Sequence, residues 1–261
     1  MAELGFTKAN LPSRGALYEG KVPDGEVEVR KLTANEEALL LSSGSQGMDR
    51  METVLQRCVR LPNEFPHDEL LMTDRMASLL ALRTITFGPH YSFDYRCRFC
   101  SQMQKAEIDI LEDLEEQTPD SIAVKMLDKG HEDWQLHEPL TITLPDKGMI
   151  IDVRFLRGKD EQKIVKRSKR VAMQSVDVGD PSYLYRFALQ IVRVEGEEVD
   201  LGKKELFVRE LTAKDTAAIR IAVDEVEPGI DLTVYPECRN CGAVNEMMLP
   251  FTVEFFRPSR L

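Results

Sequence analysis

Two short stretches constrain this chain more than any others: Cys97-Arg98-Phe99-Cys100 and Cys238-Arg239-Asn240-Cys241. Each places two cysteines three positions apart, and more than a hundred residues separate the pairs. With two residues between the thiols, the backbone can turn into a knuckle whose sulfurs face one ion and whose amides can hydrogen-bond those sulfurs. Two such pairs read first as one tetrahedral Zn²⁺ site built from Cys97, Cys100, Cys238 and Cys241. Two reduced or redox-active pairs are the alternative. Bound zinc keeps thiols deprotonated at neutral pH and would pin two remote regions together. Gly242 follows the second pair, where a knuckle often needs positive φ, and Ser101 holds that place in the first.

The flanks repeat as well. His90–Tyr95 and Ile230–Tyr235 lead into the knuckles with alternating apolar and polar residues, the pattern of half-buried strands. Ala106–Leu111 and Leu249–Phe256 are expected to leave as strands. Two strand–knuckle–strand halves, 90–111 and 230–256, then form a zinc-ribbon-like unit, with 112–229 as the intervening lobe. Four cysteines fill a tetrahedral sphere, which predicts a structural rather than a catalytic ion. The zinc deaminase signature fails because Glu237, not cysteine, follows Pro236. Cys58 lies in a helical pattern and reads as core.

Three further segments resemble one another, starting at Val29, Val153 and Val208. Each reads Val-Arg-x-Leu, then a break, then an acidic residue opening an amphipathic stretch. The predicted unit is a strand running into a capped helix, with Thr33 and Glu36 as a capping box and Thr212 with Asp215 as a weaker one. The spacings are unequal, so no solenoid is expected.

The 261 residues suffice for one large domain or two small ones, and 43% apolar content allows a sizeable core. A net charge of −11 argues against broad nonspecific binding to nucleic acid. There is no signal-peptide core and no apolar run of membrane-span length, so the reading is a protein of the reducing cytoplasm unless a particle carries it out. Residues 1–25, with Pro12, Gly15, Gly20, Pro23 and Gly25, read as an extended N-terminal arm preceding a body over 26–261. Helices are expected over 34–43, 48–60, 68–84, 160–175, 182–194 and 213–226. A hairpin is expected from 140–144 to 149–155, a strand over 204–211, and loop or short helix in the acidic segment 111–133. Strands and helices mix without strict βαβ alternation, which predicts an α+β fold of helices and mostly antiparallel strands around the Cys₄ site. No phosphate-loop, dinucleotide, serine-hydrolase or zinc-protease motif is present, and no enzyme activity is expected. The basic run Lys159–Arg170 reads as a solvated helix face, with an acidic partner or nucleic acid as alternatives.

Several stretches taken together resemble a known family. Leu11-Pro12-Ser13-Arg14-Gly15, with Tyr18 behind it, the corner from Val27 to Leu40, the two knuckles and the ending Glu254–Ser259 are similar to baseplate hub proteins of T-even-like contractile-tailed bacteriophages. The resemblance implies a non-catalytic structural subunit of the tail baseplate, in the hub or at the hub–wedge boundary, or a hub assembly factor. It implies other tail proteins as partners, a homo-oligomer within the particle as an option, and no membrane or nucleic acid. It places the protein in the virion, after assembly in the host cytoplasm. By this reading Leu11, Pro12 and Tyr18 dock on a partner while zinc holds the shape. A zinc-ribbon nucleic-acid-binding or regulatory module is the alternative.

Overall fold

The computed structural model describes residues 5–41, 47–172, 180–251 and 253–256. The expected helix ends at 42–43 and 173–175, the first four residues of the arm and the last residues of the C-terminal motif lie outside these.

Strand β1 (Phe6–Asn10) pairs antiparallel with β2 (Glu26–Arg30) along its whole length, and β2 pairs with the short β3 (Val59–Arg60). Strand β2 alternates as its Glu-Val-Glu-Val sequence dictates: Val27 and Val29 are buried, Glu26 and Glu28 exposed. Helices α1 (Ala34–Leu41) and α2 (Gly47–Cys58) lie between β2 and β3 in sequence. The longest described helix, α3 (Met72–Phe87), crosses the core and buries Asp74, Ala77, Ser78, Leu79, Leu80, Leu82 and Arg83 among others. A long hairpin follows, β4 (His90–Arg96) with β5 (Met103–Asp109), and then β6 (Glu116–Gln117) and α4 (Pro119–Asp128). Thr118 and Ser121 cap α4 reciprocally, and Pro119 sits where a helix lacks an N–H partner in any case.

The second half opens with the expected hairpin, β7 (Leu140–Thr143) and β8 (Ile150–Val153), which continues into α5 (Gly158–Ala172) and α6 (Pro181–Gln190). Strands β9 (Ile191–Val194) and β10 (Glu197–Glu198) complete an antiparallel sheet in the order β10-β9-β8-β7. Helices α7 (Leu201–Arg209) and α8 (Ala213–Val226) lead to β11 (Gly229–Ile230), which pairs with β6. Last come β12 (Thr233–Val234), β13 (Met247–Met248) and the one-turn α9 (Val253–Phe256). One core cluster runs from Leu11 to Phe256 and so joins the early and late described segments. The architecture is α+β with antiparallel pairing throughout the described sheets.

Five expected elements differ. The helix expected over 48–60 ends at Cys58, where β3 begins, and the strand expected over 230–235 is split into β11 and β12, which pair with β6 and β13. Residues 204–211 are helical in α7, because Asp200 caps the backbone amide of Lys203 and starts a helix there. The strand expected over 249–256 is limited to β13 before it, and Phe255 instead turns inward on α9, 5.1 Å from the Tyr91 ring. The helix expected over 182–194 ends at Gln190, and its last residues form β9.

The largest correction concerns the arm. From Phe6 onward it belongs to the body. Leu11, Pro12 and Ser13 are buried in succession, and Tyr18 is 3% exposed. The carboxyl of Asp74 on α3 accepts hydrogen bonds from the Ser13 amide at 3.1 Å, from the Ser13 hydroxyl at 2.6 Å and from the Tyr18 hydroxyl. That tyrosine oxygen in turn accepts the Leu71 amide at 2.9 Å. Burial raises the Asp74 carboxyl above its ordinary range, and the Ser13 and Tyr18 bonds offset only part of that rise. Leu11, Pro12 and Tyr18 therefore anchor the chain to its own core and offer no surface to a partner. The loop closes only with glycine at position 15: φ is +75°, and a Cβ there would lie 1.9 Å from the Val22 carbonyl oxygen.

The three similar corners share a buried acid. In the first, Glu36 accepts the Thr33 amide and pairs with Arg30 at 3.2 Å. In the second, Asp160 is fully buried, accepts the Arg157 amide and is clamped by both guanidinium nitrogens of Arg154 at 2.7 and 2.9 Å. In the third, Asp215 forms a capping box with Thr212 and also accepts the amides of Asp146 and Lys147 from the β7–β8 turn. The arginine of the Val-Arg pair is thus the acid's partner in the first two corners, and backbone amides replace it in the third.

Candidate metal centre

The hairpin β4–β5 carries the first knuckle at its tip, and the short pair β12–β13 carries the second. The fold brings all four predicted cysteines together: their Sγ atoms lie within 4.8 Å of one another. The shortest approaches run between knuckles, Cys97 to Cys241 at 3.7 Å and Cys100 to Cys238 at 3.6 Å. A zinc–thiolate bond of about 2.3 Å gives a tetrahedral sulfur–sulfur edge of about 3.8 Å. A disulfide would need about 2.0 Å. The four thiols therefore fit one tetrahedral ion, and all of them are unbridged. Cys97 and Cys238 are buried, Cys100 is partly buried and Cys241 is exposed.

The two knuckles are copies in detail. Ser101 donates its amide to the Cys97 carbonyl at 2.9 Å, and Gly242 donates to the Cys238 carbonyl at 2.8 Å. Cys97 donates its amide to the Gln102 carbonyl at 3.0 Å, and Cys238 to the Ala243 carbonyl at 2.9 Å. Both residues after the second cysteine have positive φ, +60° for Ser101 and +71° for Gly242. The Phe99 amide points at the Cys97 sulfur at 3.4 Å. Backbone amides, that of Cys100 foremost, with Phe99 and the Asn245 side chain, hold the Cys97 thiol down at about 6. The Gln102 amide acts likewise on Cys100.

Two amide side chains strap the halves together. Asn245 stands four residues after Cys241, and its Oδ1 accepts the Arg98 amide at 2.9 Å. Gln104 stands four residues after Cys100, and its Oε1 accepts the Arg239 amide at 3.2 Å. Each knuckle thus reaches across to the residue that follows the first cysteine of the other. Asn245 is also 2% exposed and directs its Nδ2 to the Cys97 sulfur at 3.6 Å and the Ala243 carbonyl at 3.1 Å. Neither strap was read from the sequence, although the shared pattern Cys-Arg-x-Cys-x-x-x-(Gln/Asn) carried the signal.

The other candidate groups are taken up elsewhere in the fold. His131, Glu132 and Asp133 form an exposed loop. On the basic helix α5, Lys159 pairs with Glu69, Lys163 with Asp160 and Arg167 with Glu205. Cys58 is fully buried in the core, as expected, and burial pushes its thiol up to about 11. Among the described residues, no helix is long and apolar enough to cross a membrane.

No curated protein and no solved structure matches the chain significantly. A family described as T4 bacteriophage base plate protein does match, over residues 15–257. That span takes in both knuckles, both straps, the three acid-centred corners and the Tyr18–Asp74 anchor. Because it is nearly the whole chain, this protein belongs to the T4 bacteriophage base plate protein family.

Proposed function

We propose that the chain is a zinc-stabilised, non-catalytic subunit of a contractile tail baseplate, placed in the hub or at the hub–wedge boundary, or a factor that assembles the hub. The family match over residues 15–257 carries this reading, since the family is described as T4 bacteriophage base plate protein and a base plate subunit meets other tail proteins. The metal centre supports the non-catalytic part. Four thiolates complete a tetrahedral sphere, whereas a catalytic zinc keeps a position open for water or substrate. Zinc suits an all-sulfur tetrahedral set, and it cannot change redox state inside an assembled particle.

Two measurements test the reading. Elemental analysis of the purified protein should find zinc in a one-to-one ratio, lost on mutation of Cys97 or Cys238 to Ser. Mass spectrometry of purified virions should find the chain as a permanent component, or find it only in assembly intermediates if it acts as a factor. Absence from both sinks the proposal.

A ribbon that binds nucleic acid is the second reading, favoured by exposed Phe99 and Tyr235 beside exposed Arg96, Arg98 and Arg239. Salt-dependent binding of single-stranded DNA by the purified chain would support it.

A further inference from the structure

A cleft of about 430 Å³ opens between the start of α3, the end of α6, the end of α8 and the strand after it. This is within the range of ligand pockets. Its walls are mostly apolar, with Met72, Met76, Phe187 and Leu232 prominent. Three polar side chains stand out against that lining. The Thr73 hydroxyl is buried with no hydrogen-bond partner. Gln190 is 8% exposed, and its side chain forms no hydrogen bond among the described residues. Glu227 is partly buried, and its carboxyl likewise has neither a hydrogen bond nor an ion pair there.

A native fold pairs nearly all its buried polar groups. Of the three, only the Thr73 hydroxyl is a fully buried orphan; the Gln190 amide and the Glu227 carboxyl line the same cleft, open to a group that comes from another molecule. Thr73 and Gln190 can accept or donate, whereas an ionised Glu227 only accepts, so the carboxyl selects for a donor with several N–H bonds and the other two can serve it. The apolar walls fit a hydrocarbon stem. The ring of Tyr183 stands 43% exposed at the mouth, 5.2 Å from Phe187, where a planar cation can stack. The cations that line the rim do not fill the role. Arg220 lies one helical turn from Asp224 and offsets its charge, Arg186 lies near Asp180, and neither pairs with Glu227.

We propose that this cleft receives an arginine side chain from a neighbouring protein, with its guanidinium held by Glu227, Gln190 and Thr73 and its stem lying on Met72, Met76 and Phe187. Arginine fits better than lysine because its fork offers five donors in fixed directions, against three acceptors set around one cavity. Burial, with the negative charges of Asp224, Glu138 and Asp74 nearby, raises the Glu227 carboxyl to about 8, and Arg157 opposes this. An entering guanidinium would supply the missing counter-charge. The source of the arginine as another tail protein rests on the baseplate reading; the chemistry of the cleft does not.

N-acetyl-argininamide and N-acetyl-norleucinamide, added separately to the full chain with ¹³C-methyl-labelled methionine, provide the test. The arginine probe should shift the Met72 and Met76 methyl signals saturably, and the norleucine probe should do so at least tenfold more weakly. Glu227→Gln should weaken the arginine probe by roughly tenfold to a hundredfold, the worth of a charge-assisted bond. Equal binding of the two probes, or undiminished binding by Glu227→Gln, overturns the proposal. If that variant is unstable, titration of the wild-type Glu227 carboxyl by NMR replaces it: the probe should lower its midpoint, and an unmoved midpoint counts against the site. Wild-type protein that takes the probe yet never enters particles would reject the baseplate reading and leave the cleft chemistry standing.

Discussion

Asn245 accepts the backbone amide of Arg98 at 2.9 Å across 147 positions of sequence, and its amide nitrogen faces the Cys97 sulfur. One side chain therefore holds the two knuckles together and orients a ligand. Groups behind the ligands of a metal centre commonly change affinity by about tenfold to a hundredfold. Asn245→Ala should weaken zinc by that amount in competition with a chromophoric chelator. Gln104→Ala should do so by less, because its strap touches no sulfur. Co²⁺-loaded Asn245→Ala should keep a tetrahedral absorption spectrum. Unchanged affinity in Asn245→Ala would show the strap to be incidental.

Removal of the metal should affect the two halves unequally. The first knuckle sits on a hairpin paired over seven positions, the second on a pair of strands only two residues each. Chelation should lower Tm, and hydrogen exchange should rise first over 233–248 while 90–96 and 103–109 stay protected. Simultaneous loss of protection in both segments would contradict that order.

Two glycines of the N-terminal loop separate steric need from conformational need. Gly15 and Gly20 both have φ near +75°, but only Gly15 has a carbonyl where its Cβ would go. Gly20→Ala should cost about 1 kcal/mol, the left-handed penalty alone. Gly15→Ala should cost several-fold more by denaturant titration, because the Leu11–Tyr18 anchor must shift. Equal costs would mean the loop relaxes freely.

The corners make a paired prediction about one motif. Arg154→Ala removes both guanidinium bonds from the fully buried Asp160, leaving it only the Arg157 amide and Lys163 at 3.4 Å, and should cost about 3 kcal/mol. Arg209 occupies the same place in the third copy, yet it is exposed and Asp215 is bound by backbone amides instead. Arg209→Ala should stay within about 0.5 kcal/mol of wild type. A comparable loss in both variants would refute the assignment.

Glu227 gives the expected pH dependence. Its folded value of about 8 lies above the ordinary 4.5, so the folded chain holds a proton that the unfolded chain releases between those pH values. This contribution to stability is fully present below pH 4.5 and is lost as pH rises through about 8. Glu227→Gln should therefore gain on wild type across that window, by at most about 1.4 kcal/mol per pH unit. Parallel stability curves would place the carboxyl in water.

The four-cysteine cluster was legible because its chemistry is local: spacing and residue type decide where two thiols point. The arm was not. Proline and glycine suit a loose terminus and a tight loop equally, and the deciding partner is Asp74, 61 positions beyond Ser13. Residues 204–211 alternate well enough for a strand, but Leu206 is 62% exposed and Asp200, outside the pattern, starts a helix. Leu249–Phe256 has the β-branched and aromatic content of a strand. Packing of Phe255 against Tyr91 and Phe251, at 5.1 and 4.7 Å, supersedes that preference. The cleft at Glu227 could not be read from local pattern, because its lining comes from four separate parts of the chain.

The closing of the ribbon also sets a clock on synthesis. Cys97 emerges from the ribosome 144 residues ahead of Cys241. At about 5–20 residues per second, that leaves an interval of roughly 7–30 s. Throughout it the first pair of thiols lacks its partners and stands open to stray metals and oxidants until the second pair emerges.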